Sequence, residues 1–133
     1  MKIVFDTNVI VSALLIKSSN SRFAYEKAIS RGKILASLPT LEELIEVLCR
    51  KKFSKYISLS DRNIFISEFS LLAEIIKVNQ KLNVCHDPKD NKFLELAISG
   101  NADCVVTKDE DLLVLDPFRK ISILSPDVFL KRY

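Results

Sequence analysis

Apolar residues along this chain fall into short unbroken runs and longer runs spaced at helical intervals, and the two kinds alternate. Ile3-Val4-Phe5 and Cys104-Val105-Val106 carry no polar interruption, the pattern of central parallel strands buried on both faces. Strands are expected over Lys2 to Phe5, Ile34 to Leu38, Ile75 to Val78, Asp103 to Thr107 and Ile121 to Leu124. Between them, periodicity and punctuation predict helices. One runs from about Asn8 to Ile16; a second starts at a Ser21 cap, continues to about Arg31 and is stopped by Gly32. A third opens at Pro39 or Thr40 with Leu41, Leu44, Ile45 and Leu48 on one stripe, and a fourth starts at Ser60-Asp61-Arg62. The last spans Asn91 to Ser99, with Phe93, Leu94, Ala97 and Ile98 as its stripe and Gly100 as its stop. Such alternation implies right-handed crossovers and a sheet covered on both faces. The expected class is therefore α/β, a three-layer α/β/α sandwich around a mostly parallel sheet. No linker, repeat or low-complexity segment interrupts it, so residues 1–133 read as one domain.

Composition narrows the chemistry more by what it lacks. The chain is 48% apolar and 28% charged, a globular profile, and no stretch approaches the ~20 apolar residues of a bilayer span. It opens on a strand-like run rather than a basic and then apolar leader, so a cytoplasmic location is expected. A net charge of +3 permits a nucleic-acid partner without demanding one. Two glycines cannot supply a dinucleotide fingerprint or a Walker A loop, and the single histidine, His86, cannot build a histidine-pair ribonuclease. Cys49, Cys85 and Cys104 are isolated and read as reduced, partly buried thiols. Hydrolytic chemistry in this chain has to rest mainly on carboxylates.

Ligands of open α/β sheets bind beyond the carboxyl ends of the strands, where strand order reverses. Asp6 directly follows the first strand, Asp109 follows the Val105-Val106-Thr107 strand, and Asp90 sits at a helix start facing the same edge. Each has a plainer reading: Asp90 as a helix cap worth ~1 kcal/mol, Asp109 and Asp111 as a solvated turn. Asp6, placed straight after a fully apolar central strand, is a poor choice for stability alone. Two unit charges ~4 Å apart repel by about 4 kcal/mol at an effective dielectric of 20, so converging carboxylates call for a cation or raised pKa values. Hard divalent ions, Mg²⁺ or Mn²⁺, prefer such oxygen ligation.

Four segments carry a family resemblance, in order and across the chain: Val4-Phe5-Asp6-Thr7-Asn8-Val9, Leu41 to Leu48, Asp87-Pro88-Lys89-Asp90-Asn91-Lys92-Phe93, and Val105 to Leu112. With them the sequence resembles the PIN-domain family, and within it the small prokaryotic branch of VapC-like, PilT N-terminus-like toxin components of toxin–antitoxin systems. The resemblance implies an α/β/α sandwich whose active site gathers four acids around one or two divalent metal ions. Asp6 takes the first role, Asp90 the third and Asp109 the fourth. The second falls among Glu42, Glu43 and Glu46, with spacing from Ser37 favouring Glu43. Asn8 matches the family asparagine that orients the first aspartate, Thr107 the hydroxyl residue near the fourth, and Asp111 an outer-shell oxygen. His86 and Lys108 depart from the family's usual arginine and small residue.

The activity so implied is metal-assisted hydrolysis of single-stranded RNA by Mg²⁺ or Mn²⁺, leaving a 5′-phosphate and a 3′-hydroxyl. Candidate phosphate contacts are the basic run Arg50, Lys51, Lys52 and Lys55, together with Lys89 and Lys92 flanking Asp90. A homodimer and a small, partly disordered cognate antitoxin are the partners the resemblance implies. Two other classes compete. One is a catalytically silent PIN scaffold that binds RNA or protein; the other is an aspartate-based phosphotransfer domain using Asp6 as nucleophile, against which Asn8 stands where a second aspartate is usual.

Overall fold

A computed structural model describes residues 1–133. Its sheet has five strands in the order β3-β2-β1-β4-β5, every adjacent pair parallel. The strands are β1 (Lys2–Phe5), β2 (Lys33–Ala36), β3 (Glu74–Ile75), β4 (Cys104–Val106) and β5 (Ser122–Leu124). Helices α1 (Thr7–Leu15), α2 (Asn20–Arg31), α3 (Leu38–Leu48), α4 (Leu59–Leu72), α5 (Asn91–Ser99), α6 (Glu110–Leu113) and α7 (Pro126–Arg132) connect and flank them. Short 3₁₀ turns occupy Lys51–Phe53 and Pro88–Asp90. No helix is long and apolar enough to cross a membrane.

Strand geometry explains the unbroken apolar runs. Successive side chains point to opposite faces, and here both faces are covered. Ile3, Phe5, Ile34, Ala36, Cys104, Val106 and Leu124 pack into one core with residues of α1, α2, α3, α4 and α7. Val4, Leu35, Val105 and Ile123 pack into the other, with α5 and Leu112 of α6. The α/β/α sandwich thus follows from alternation along strands that have no polar side to spare.

Local differences from the sequence expectation have local causes. The strand expected over 75–78 shrinks to Glu74–Ile75. It is an edge strand with β2 as its one partner, and after the Ile76 N–H bonds to the Ala36 carbonyl at 2.8 Å the chain leaves the ladder. Ser19, not Ser21, caps α2, accepting from the Arg22 N–H at 3.1 Å, while Ser21 is buried with an unpartnered hydroxyl. Helix α3 begins at Leu38, capped by Ser37 in a reciprocal box with Thr40, and so takes in the last residue expected of β2. Its inner stripe is Thr40, Leu44, Val47 and Leu48, with Leu41 half-buried and Ile45 exposed, a rotation of the expected face. On α5 it is Leu96, not Ile98, that is fully buried with Phe93, Leu94 and Ala97.

Candidate active site

The carboxyl edge of the sheet is where strand order turns, because β2 lies on one side of β1 and β4 on the other. Here the Asp6 N–H reaches the Val106 carbonyl at 3.0 Å, joining the ends of β1 and β4. A cleft of about 290 Å³ opens over this point, lined by Asp6, Asn8, Glu43, Arg50, Asp90 and Asp109 among others. Four acids separated by up to a hundred residues therefore line one cavity, delivered by the end of β1, by α3, by the turn before α5 and by the turn after β4.

Asp6 is almost fully buried and doubles as the N-cap of α1, accepting the Val9 N–H at 2.9 Å on Oδ1. Its other oxygen, Oδ2, accepts the hydroxyl of Thr107, which is completely buried. Thr107 in turn accepts the Asp109 N–H at 3.0 Å, so one hydroxyl ties the first acid to the last. Orientation of Asp6 falls to Thr107 and to the helix start; Asn8 lines the cleft without bonding to Asp6. Burial raises the Asp6 pKa, the two hydrogen bonds oppose the rise, and the charges of Asp109 and Glu43 add to it.

Asp90 makes no side-chain capping bond to α5; Asp87 is the residue that caps its own turn, accepting the Lys89 N–H at 3.0 Å. The capping reading of Asp90 therefore falls away. Its Oδ2 is buried with no hydrogen-bond partner. Burial first, then the charge and proximity of Asp109, push its carboxyl up to about 7. Oxygens of Asp90, Asp109 and Asp111 lie within 4.8 Å of one another. Asp109 caps α6, accepting the Asp111 N–H at 2.9 Å, and both side chains are half-buried. An unpartnered buried oxygen beside two further carboxylates is a donor set short of positive charge, and hard oxygen ligands suit a divalent ion.

Of the three glutamates on α3, only Glu43 lines the cleft; Glu42 is exposed, and Glu46 is on the surface, gripped by Arg50 Nε and Nη2 at 3.2 and 3.0 Å. Glu43 is held by two donors that sequence reasoning did not link to it. Its Oε2 accepts the Thr7 hydroxyl, and its Oε1 accepts Lys92 Nζ at 2.8 Å. Lys92, expected as a phosphate contact, is thus paired within the site. Lys89 and Arg50 do line the cleft, whereas Lys51 and Lys52 are exposed and lie beyond it. His86 is exposed. All three cysteines are free; Cys85, buried under the acids, has its thiol pushed up to about 11 by burial and then by the surrounding aspartates, so it stays protonated.

A model of the PIN domain matches residues 2–111, and the chain belongs to the PIN-domain family. The uncharacterised protein MJ1680 of Methanocaldococcus jannaschii is 31% identical over 117 residues, covering 86% of this chain and 75% of its own length. VapBC2 of Rickettsia felis, solved bound to a DNA fragment from their promoter, superposes with a TM-score of 0.63 at 19% identity, covering 92% of this chain and 97% of its own. PAE2754 of Pyrobaculum aerophilum gives 0.64 at 14% identity over 98% and 87%. At these identities the two structures speak to the fold.

Proposed function

We propose that this chain is a metal-dependent endoribonuclease acting on single-stranded RNA, working as one PIN domain over residues 1–133. The observation that carries this reading is the convergence of Asp6, Glu43, Asp90 and Asp109 on one cleft at the strand-order reversal. A fold has little reason to gather repelling carboxylates and leave a buried Asp90 oxygen unpartnered unless a cation belongs there. Asp90 and Asp109, with the Asp111 oxygen close to theirs, would hold Mg²⁺ or Mn²⁺ together with Asp6, and Glu43 completes the acidic set that lines the cleft. Bound there, the ion supplies Lewis-acid stabilisation of charge on phosphate and a more acidic water.

The protein's own contribution is placement. Thr107 and the Val9 N–H fix both oxygens of Asp6, and Asp109 is fixed by the start of α6. Arg50 keeps Nη1 clear of its bond to Glu46, and Lys89 is exposed at the rim, so both are available to backbone phosphate. Against an aspartyl-phosphate mechanism stands Asn8, which occupies the position where a second aspartate is usual. The likeness in fold to VapBC2 supports the further reading as the toxin component of a toxin–antitoxin pair, cytoplasmic, homodimeric and silenced by a cognate antitoxin.

The test is cleavage of end-labelled single-stranded RNA with Mn²⁺ or Mg²⁺, beside EDTA and the Asp6→Asn variant. Loss of cleavage in both controls, with 5′-phosphate products, is expected. A 2′,3′-cyclic phosphate end would overturn the mechanism, and absence of both cleavage and metal binding would favour the silent scaffold.

A further inference from the structure

The structure contains three ion pairs, and two of them are i,i+4 pairs on helix surfaces, Arg22 with Glu26 and Arg50 with Glu46. The third, Lys92 with Glu43, crosses from α5 to α3 and is the most enclosed, its side chains 24% and 20% exposed against 30–61% for the others. No other cation is paired with a carboxylate of the acidic cleft. With Thr7 on the second oxygen, both Glu43 oxygens are spoken for by the chain itself. At the other acids the situation reverses: Asp90 Oδ2 has no donor, and the oxygens that come together are those of Asp90, Asp109 and Asp111. Glu43 is thus neutralised by the chain itself, whereas the Asp90, Asp109 and Asp111 group carries no such cation.

We infer that Lys92 is a resident cation that takes the place of a second divalent ion on Glu43 and so commits the cleft to a single metal. This rests on the metal-dependent reading above. Two-ion phosphodiesterase sites need carboxylates on both sides of the reacting phosphate, with ions roughly 4 Å apart. A second ion here would have to take Glu43 from an ammonium already at 2.8 Å and settle beside that like charge. The lysine is suited to the position, being a compact point charge on a stem long enough to reach from one helix to the next. It acts as a positioning residue: it holds Glu43 and keeps a fixed positive charge at the cleft wall.

Calorimetric titration of the metal-free protein with Mn²⁺, with free Mn²⁺ followed by its electron paramagnetic resonance signal, reads the stoichiometry directly. Wild type is expected to take up a single ion per chain and Lys92→Arg likewise, whereas Lys92→Met gains a second. Lys92→Gln, which keeps a donor for Glu43 but no charge, should also gain the second ion and guards against misfolding of the methionine variant. Two ions on wild type, or a single ion on both uncharged variants, would overturn the inference and leave the metal-dependent reading standing. No Mn²⁺ on wild type or any variant would remove both.

Discussion

Thr107 shows how much of a site can hang on one side chain. Its hydroxyl donates to Asp6 and accepts from the backbone of Asp109, inside a region closed to water. Valine keeps the shape and deletes both bonds, so Thr107→Val is expected to destabilise the fold by about 2 kcal/mol, the usual scale for a hydrogen bond to a charged group. It should also weaken Mn²⁺ binding by about 10- to 100-fold, the scale for losing the partner of a ligand. Urea denaturation and metal titration separate the two effects. Asp90 makes a pH prediction. Its pKa rises from 3.8 to about 7 on folding, so the folded state holds the proton more tightly. The stabilisation is fully present below the unfolded pKa and is lost as pH climbs through about 7. In EDTA the urea midpoint should therefore fall between pH 5 and pH 8, and Asp90→Asn should flatten that fall; an unchanged slope in the variant would show that other groups carry it. At this scale Asp6 was legible because a carboxylate after an apolar strand is conspicuous. Thr7 and Lys92 were not, since their partner lies 36 and 49 residues away and the approach of α3 to α5 decides the contact.

Elements were legible where both faces are buried and obscure where they are short or sit at an edge. β1 and β4 carry their pattern openly, whereas β3 pairs on one side and ends after two residues. Helices α6 and α7 are four and seven residues long, too short to show a period. For α7 a local signal did exist: Ser125 caps it and Pro126 occupies its first turn. Gly32 offers a test of how elements transmit strain. A Cβ there would lie 2.5 Å from the Met1 carbonyl oxygen, which also accepts the Lys33 N–H at 2.8 Å. Gly32→Ala should push apart the beginnings of β1 and β2 and lower stability by about 1–3 kcal/mol, the range for inserting a methyl into filled space. Because the acids sit at the other end of β1, its Mn²⁺ affinity should match wild type; a parallel loss would mean the shift travels along the strand.

For the whole molecule, strand–helix alternation announced the sandwich, but nothing local in the sequence dictates the order β3-β2-β1-β4-β5. That order puts the cleft over the β1–β4 junction and sets its surroundings. Arg50 is at the cleft, and the basic run continues outward through Lys51 and Lys52 on the turn after α3. If RNA follows this path, Lys51→Glu with Lys52→Glu should weaken binding uniformly across sequences. It should also flatten the plot of log affinity against log salt by at least about 1.4, the share of two single-strand phosphate contacts. An unchanged slope would place the RNA elsewhere.

The β1–β4 junction also orders events in time. β1, β2 and β3 come from the first part of the chain and carry Asp6 with the helix that bears Glu43. Asp90 and Asp109 belong to the later part, and Thr107, the residue that aims Asp6, comes out of the ribosome a hundred residues after it. A chain emerging during synthesis thus holds Asp6 and Glu43, linked through Thr7, before the residues that supply Asp90, Asp109 and Thr107 exist, and the four acids meet only when β4 slides in beside β1.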